Sequence, residues 1–215
     1  MVTNYRGLSE TEILDINKFY MDYFNKYGST PQGVGWKDKF SHVLRFDKLI
    51  ELLDWTQKEV SINDFGCGYG AMFRFLCDKQ VKLNKYYGYD ICDDMLAVAK
   101  NTIKDARAVF EKSGRVLYSA DYTFISGSFN LKLSHSDQSW AEYIKQTLFD
   151  IASKSVRGIA FNMLSSDVEE RQGIFYYADP CYYFNFCKRN ISRYVSLLND
   201  YDLGEWTMLI KLVPD

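Results

Sequence analysis

The chain has 215 residues, 47% hydrophobic and 25% charged, with 26 basic against 28 acidic side chains for a formal net charge of -2. That size and balance fit one domain with one sizeable core. They exclude a global positive field that would attract nucleic-acid backbones or anionic membranes.

Ser9 and Glu12 have capping-box spacing, and Ile13, Ile16, Tyr20, Tyr23, Phe24 and Tyr27 recur at helical intervals, so a helix is expected over 11–25. The segment "YGSTPQGVGW" reads as an ordered loop, and a second helix over 38–54 presents Phe40, Val43, Leu44, Leu49, Ile50 and Leu53. From residue 59 the pattern alternates strand and helix, as in a parallel sheet covered on both faces. Strands are expected at 60–65, 85–89, 108–111, 122–126 and 157–163, with helices at 71–79, 93–107 and 137–153. Asp179 before Pro180 is a good helix start, running to about Lys188. The tail then reads as two strands, 192–198 and 205–212, joined by the polar turn "NDYD" into an antiparallel pair. A single domain is expected over 1–215, with the N-terminal helices of about 9–54 as an accessory cap.

No apolar run reaches the roughly 18 residues of a membrane span, and "MVTNYRGLSE" lacks a signal-peptide layout. A cytoplasmic protein with no membrane partner is therefore expected. The five cysteines, at 67, 77, 92, 181 and 187, are an odd set with no C-x-x-C pair. Reduced thiols are expected rather than disulfides or a metal site.

The stretch "SINDFGCGYGAMFRFL" carries the chemistry. A strand ends in Asp64, and Gly66, Gly68 and Gly70 open a helix, so the turn is tight and a ligand can approach the backbone. Twenty residues beyond Gly70 the strand "KYYGYD" ends in Asp90, where a carboxylate accepts hydrogen bonds from ribose hydroxyls. Together the two signals point to a nucleoside cofactor, with Cys67 in the turn and Ile91 beside the second acid as further contacts. Gly66, Gly68 and Ala71 also satisfy the dinucleotide pattern G-x-G-x-x-A, which leaves an NAD(P)-dependent oxidoreductase as an alternative. Asp64 opposes it, because a carboxylate repels a pyrophosphate and attracts a cationic cofactor such as S-adenosylmethionine.

The segment resembles motif I of the class I methyltransferases, an acid, a spacer, then G-x-G-x-G, and Asp90 resembles their ribose-binding acid. The resemblance implies a three-layer α/β/α Rossmann-like methyltransferase fold. Its seven-stranded, mostly parallel sheet has its last strand inserted antiparallel, which the alternating tail would supply. It further implies that Asp64 and the glycine turn hold the methionine moiety of S-adenosylmethionine and Asp90 the ribose. After the third strand, Glu111 and Ser113 are candidates for the adenine, or members of a charged, solvated turn. After the fourth, Ser126, Gly127, Phe129 and Asn130 fall at a strand end facing the crevice, like the family's motif IV region. "SGSFN" and the later "FYYADP…FNFCKRN" also resemble bacterial methyltransferases of small molecules.

An O- or N-methylated small-molecule acceptor is the expected partner, with no prediction of oligomeric state. Methyl transfer needs alignment and little water, and a base only for some acceptors. His135 and Asn130 are the candidate catalytic groups, and His42 is a weaker one. Trp36, Phe129, Tyr176 and Tyr177 are candidate acceptor contacts, with Asp179 as an orienting group or helix cap and Arg45 as a partner for a carboxylate. "ADPCYY" is similar to the D-P-P-Y motif of amino-methyltransferases of nucleobases, but it follows the fifth strand instead of the fourth, which disfavours a nucleic-acid substrate. A non-catalytic partner subunit with the same fold is the third reading, opposed by the intact acids and glycines.

Overall fold

A computed structural model describes residues 10–35 and 38–213. Ser9 and Trp36, expected as a cap and an acceptor contact, lie outside the described residues. The elements in order are α1 (Glu10–Tyr27), a 3-10 turn (Gln32–Val34), α2 (Lys39–Ile50), β1 (Val60–Phe65), α3 (Ala71–Asp78), β2 (Leu83–Asp90), α4 (Asp93–Thr102) and β3 (Ala108–Lys112). β4 (Ala120–Ser126), α5 (Asp137–Ala152), β5 (Ser155–Leu164), α6 (Pro180–Asn190), β6 (Tyr194–Leu198) and β7 (Glu205–Lys211) follow.

The seven strands form one sheet in the order β3-β2-β1-β4-β5-β7-β6. The pairs from β3 to β5 are parallel, and β7 runs antiparallel between β5 and β6. The tail forms the expected antiparallel pair, and its last strand inserts inside the sheet as the family resemblance implied, leaving β6 at the edge. β1 is buried along nearly its whole length, as a central parallel strand covered on both faces must be. One face packs Phe46 and Leu49 of α2, Met72 and Leu76 of α3 and Leu96 of α4 over Ile62, Tyr86 and Phe124. The other packs Trp140, Ile144 and Leu148 of α5 and Tyr183 of α6 over Phe65, Ile125, Phe161 and Trp206. Among the described residues no helix is long and apolar enough to cross a membrane.

Three local outcomes refine the sequence reading. α2 starts as expected, with the Asp38 carboxylate accepting from the Ser41 amide at 2.7 Å, but it ends at Ile50 and lies on the sheet, against β4, β5 and β7. It belongs to a covering layer, and among the described elements α1 and the 3-10 turn sit outside the sandwich. α4 stops at Thr102 instead of 107, because Ile103 is extended and Asp105 turns its side chain onto the Arg107 amide at 2.9 Å, a local bond that competes with the helix. Arg45 is buried against the sheet. Its guanidinium makes a two-pronged buried pair with Glu205 of β7, at 2.6 and 2.8 Å, tying α2 to the sheet.

Candidate active site

The carboxyl ends of β3, β2, β1 and β4 stand side by side and open into one cavity of about 1050 Å³, mouth included. Neighbouring strands lie about 4.8 Å apart, so Ser113 after β3, Asp90 at the end of β2, Asp64 in β1 and Ser126 at the end of β4 span about 14 Å in that order. The glycine turn forms the floor between the middle pair. α1 and the 3-10 turn roof it with Ile13, Ile16, Tyr20 and Val34, and α2 contributes His42 and Phe46. Trp140 and Tyr143 of α5 close the opposite side. The roof is pinned at two points: Phe24 stacks on Tyr69 with ring centres 6.4 Å apart, and Glu12 pairs with His135 at 3.2 Å.

The glycines are required by the turn and by close neighbours. Gly66 has φ +79, and a Cβ there would lie 2.0 Å from Ser128 Oγ; Gly70 has φ +81, and its Cβ would meet Ile103 at 2.5 Å. The freed amides are then used. Those of Gly66 and Cys67 donate to the Tyr89 carbonyl, and that of Gly68 donates to Asp90 Oδ2 at 2.7 Å. Asp90 Oδ1 also accepts from the Cys92 amide at 2.9 Å, so this carboxylate is held rigidly at the cavity edge.

Asp64 is 2% exposed, on the face shared with its β2 neighbours, and accepts a hydrogen bond from the Tyr86 hydroxyl. Burial pushes its pKa up to about 7, Asp90's charge adds to the effect, and the Tyr86 bond opposes it. Burial likewise raises Asp90, against the backbone amides of Cys92 and Gly68. Tyr20, over the cavity, is raised by burial and then by Asp90. His42 is pushed down to about 4 by burial and by the charge of Arg45, so it is neutral at pH 7. Among the described residues no lysine or arginine lines the cavity. Two crowded acids with no lysine or arginine among the described lining residues favour a positively charged ligand, since binding one restores the carboxylates to their ionised form.

The structure brings together Asp64, Gly66, Cys67, Gly68, Asp90, Ile91, Ser126 and Gly127 of the expected cofactor residues on the cavity wall, with Ser113. Gly70 sits behind the turn, and Glu111 lies on β3 off the wall, paired across the strand with Tyr89. The expected acceptor and catalytic groups mostly fall elsewhere. Phe129 is fully buried in the core, and Asn130 pins the loop after β4 to β5 by accepting from the Leu164 amide at 3.1 Å. His135 stacks behind Trp140, 5.2 Å between ring centres, and reaches α1 instead of the cavity. The Tyr183 hydroxyl donates to the buried Tyr176, Tyr177 accepts from the Gln172 amide, and Asp179 caps α6 through the Cys181 and Tyr182 amides. The aromatic wall residues missed from sequence, Tyr20, Phe46, Trp140 and Tyr143, belong to amphipathic stripes that look like ordinary core.

Comparison with known proteins agrees with this geometry. A family profile described as a methyltransferase domain matches residues 63–153. The Mycobacterium tuberculosis protein Rv1506c, named as a methyltransferase, is 40% identical over 154 residues, covering 70% of this chain and 92% of that protein. Magnesium protoporphyrin IX methyltransferase from Synechocystis PCC 6803, solved with S-adenosylhomocysteine, shares the fold at TM-score 0.66 and 13% identity, over 94% of this chain and 99% of that one. The plantazolicin methyltransferase BpumL does so at TM-score 0.60 and 16% identity, over 98% and 95% of the two chains. With the acid-glycine turn, the second acid at the next strand end and this sheet order in place, the chain belongs to the class I S-adenosylmethionine-dependent methyltransferases.

Proposed function

We propose that the protein methylates a small-molecule acceptor on oxygen or nitrogen. The observation that carries this reading is the acid-floored cavity: Asp64 and Asp90 stand among apolar and aromatic walls, with Ile13, Ile16 and Tyr20 of α1 lining it. Bound there, S-adenosylmethionine supplies a methyl group on a cationic sulfur, which a nucleophile in line with the C–S bond takes up.

The residues fit that group. Asp90 would accept from the ribose hydroxyls while staying fixed by Gly68 and Cys92. Asp64 would face the cationic end, and Ser113 and Gly114 the base, following strand order. Ile13, Ile16, Tyr20, Phe46 and Trp140 keep water out, which strengthens the electrostatic contacts within. Similarity to small-molecule methyltransferases, by their names, supports the acceptor class. Calorimetry tests the reading: S-adenosylhomocysteine should bind and raise the melting temperature, and NADH should do neither. Binding of NADH alone would return the oxidoreductase, and binding of neither the non-catalytic subunit.

A further inference from the structure

Two residues of β2 shape the surroundings of Asp64. In the parallel register Ile62 lies opposite Tyr86 and Asp64 opposite Gly88. Side chains alternate along a strand, so Asp64 and position 88 share the face on which Ile62 and Tyr86 join the core under α2 and α3. Tyr86 is therefore the diagonal neighbour of Asp64, about 8 Å away by strand spacing and rise, within reach of a tyrosine. Position 88 admits no side chain of its own: a Cβ on Gly88 would lie 2.8 Å from both Cys67 Sγ and the Phe110 ring. The Tyr86 hydroxyl takes the place beside the acid and donates to Asp64 Oδ2. Its ring is fully buried, edge-on to Phe73 and Phe110 with centres 5.2 and 5.8 Å away, which fixes the direction of the hydroxyl.

We infer that Tyr86 is a positioning residue for the cofactor, tying down Asp64 Oδ2 so that the carboxylate presents its other oxygen, as an anion, to the cationic end of S-adenosylmethionine. Tyr86 does not line the cavity and Asp64 does, so the hydroxyl acts through the acid. A buried carboxyl tends to keep its proton, and a donor fixed on one oxygen favours the charged form. Such a charge-assisted bond is stronger than a neutral one and also restricts the side chain to one orientation. Burial and then the charge of Asp64 hold the Tyr86 hydroxyl far above its usual range, so it remains a donor at neutral pH. The other titratable groups lining the cavity near Asp64 are Asp90, Cys67 and Tyr69 of the turn, Tyr20 of α1 and His42 of α2. Burial raises Cys67, Tyr69 and Tyr20 and lowers His42, so these four stay neutral between pH 6 and 8. Titration in that window belongs to Asp64 and its neighbour Asp90. The assignment rests on the reading of Asp64 as the acid that meets the cofactor.

The test compares the full-length wild type with Tyr86→Phe, which keeps the ring packing and deletes the hydroxyl, by calorimetric titration with S-adenosylmethionine at pH 6, 7 and 8. Affinity should fall by about tenfold at pH 6, the loss of one hydrogen bond to a charged group, and by no more than about twofold at pH 8, where Asp64 ionises without that help. Ionisation of the ligand's own amine cancels in the ratio of the two proteins. In an Asp64→Asn background the same substitution should change affinity by less than about twofold at every pH. An equal loss at all three pH values, no loss at any, or an undiminished loss in the Asp64→Asn background overturns the assignment. Should Tyr86→Phe fail to fold, the wild type decides: the buried hydroxyl proton should give a slowly exchanging low-field NMR signal at pH 8, and its absence overturns the assignment. Failure of the wild type to bind S-adenosylmethionine, or an affinity unchanged by Asp64→Asn, overturns instead the reading of the cavity on which it rests.

Discussion

Asp64 makes cofactor binding depend on pH in a way that follows from its burial. Its carboxyl titrates near 7 in the ligand-free protein, so it is about one-eleventh ionised at pH 6, one-half at pH 7 and ten-elevenths at pH 8. A cationic ligand binds the ionised form, and its charge holds the bound carboxyl well below 7. Affinity for S-adenosylmethionine should therefore rise about tenfold from pH 6 to 8 and level off above. At pH 7 binding should release about half a proton, read as the dependence of the calorimetric heat on the buffer's ionisation enthalpy. The stability of the ligand-free protein moves in the opposite sense. A carboxyl raised above its unfolded value of about 3.9 contributes stability that is complete below that pH and is lost as pH climbs through 7. The ligand-free melting temperature should fall across that window while the increment from cofactor grows. Asp64→Asn keeps the shape and removes the titration, so it separates this effect from ionisation of the ligand's own amine and from the neighbouring Tyr86 and Asp90. Proton uptake on binding, or the same pH profile in wild type and Asp64→Asn, would refute the electrostatic role.

Asp90→Ala removes the acid that Gly68 and Cys92 hold at the strand end, and should weaken S-adenosylhomocysteine by at least about 1 kcal/mol, roughly fivefold, by titration. Gly70→Ala places a Cβ 2.5 Å from Ile103 at φ +81 and should cost about 1–3 kcal/mol in urea unfolding, whereas Gly173→Ala, with nothing within 4 Å, should stay within about 0.5 kcal/mol. Arg45→Met strands the buried Glu205 carboxylate and should cost about 3–5 kcal/mol; adding Glu205→Gln should recover part of that loss in the same assay.

Most of the fold is legible in the residue pattern because its signals are local. The run "VSINDF" before a glycine turn reads as a buried strand, and the alternating tail reads as a pair of strands. The insertion of β7 between β5 and β6 is a long-range choice that no local signal encodes. The site divides along the same line. Asp64, the glycines and Asp90 are set by short-range spacing and stand where that spacing places them. The acceptor side depends on tertiary packing: Arg45 and His42 are three residues apart on one helix, and only the approach of β7, with Glu205 160 residues from Arg45, decides that one is a brace and the other lines the cavity. Phe129 and Asn130 follow a motif-bearing strand end, yet the chain turns there so that one fills the core and the other clamps β5. The Tyr86 bond to Asp64 is visible only once β1 and β2 are aligned in parallel.

A crystal structure of the chain with S-adenosylmethionine tests most directly whether the acid-floored crevice holds a cationic nucleoside. The expected result is a ribose bonded to Asp90 and the ligand's amino end against Asp64. A ligand bound outside the cavity, or Asp64 turned to solvent with apolar side chains filling the space above the glycines, would contradict it.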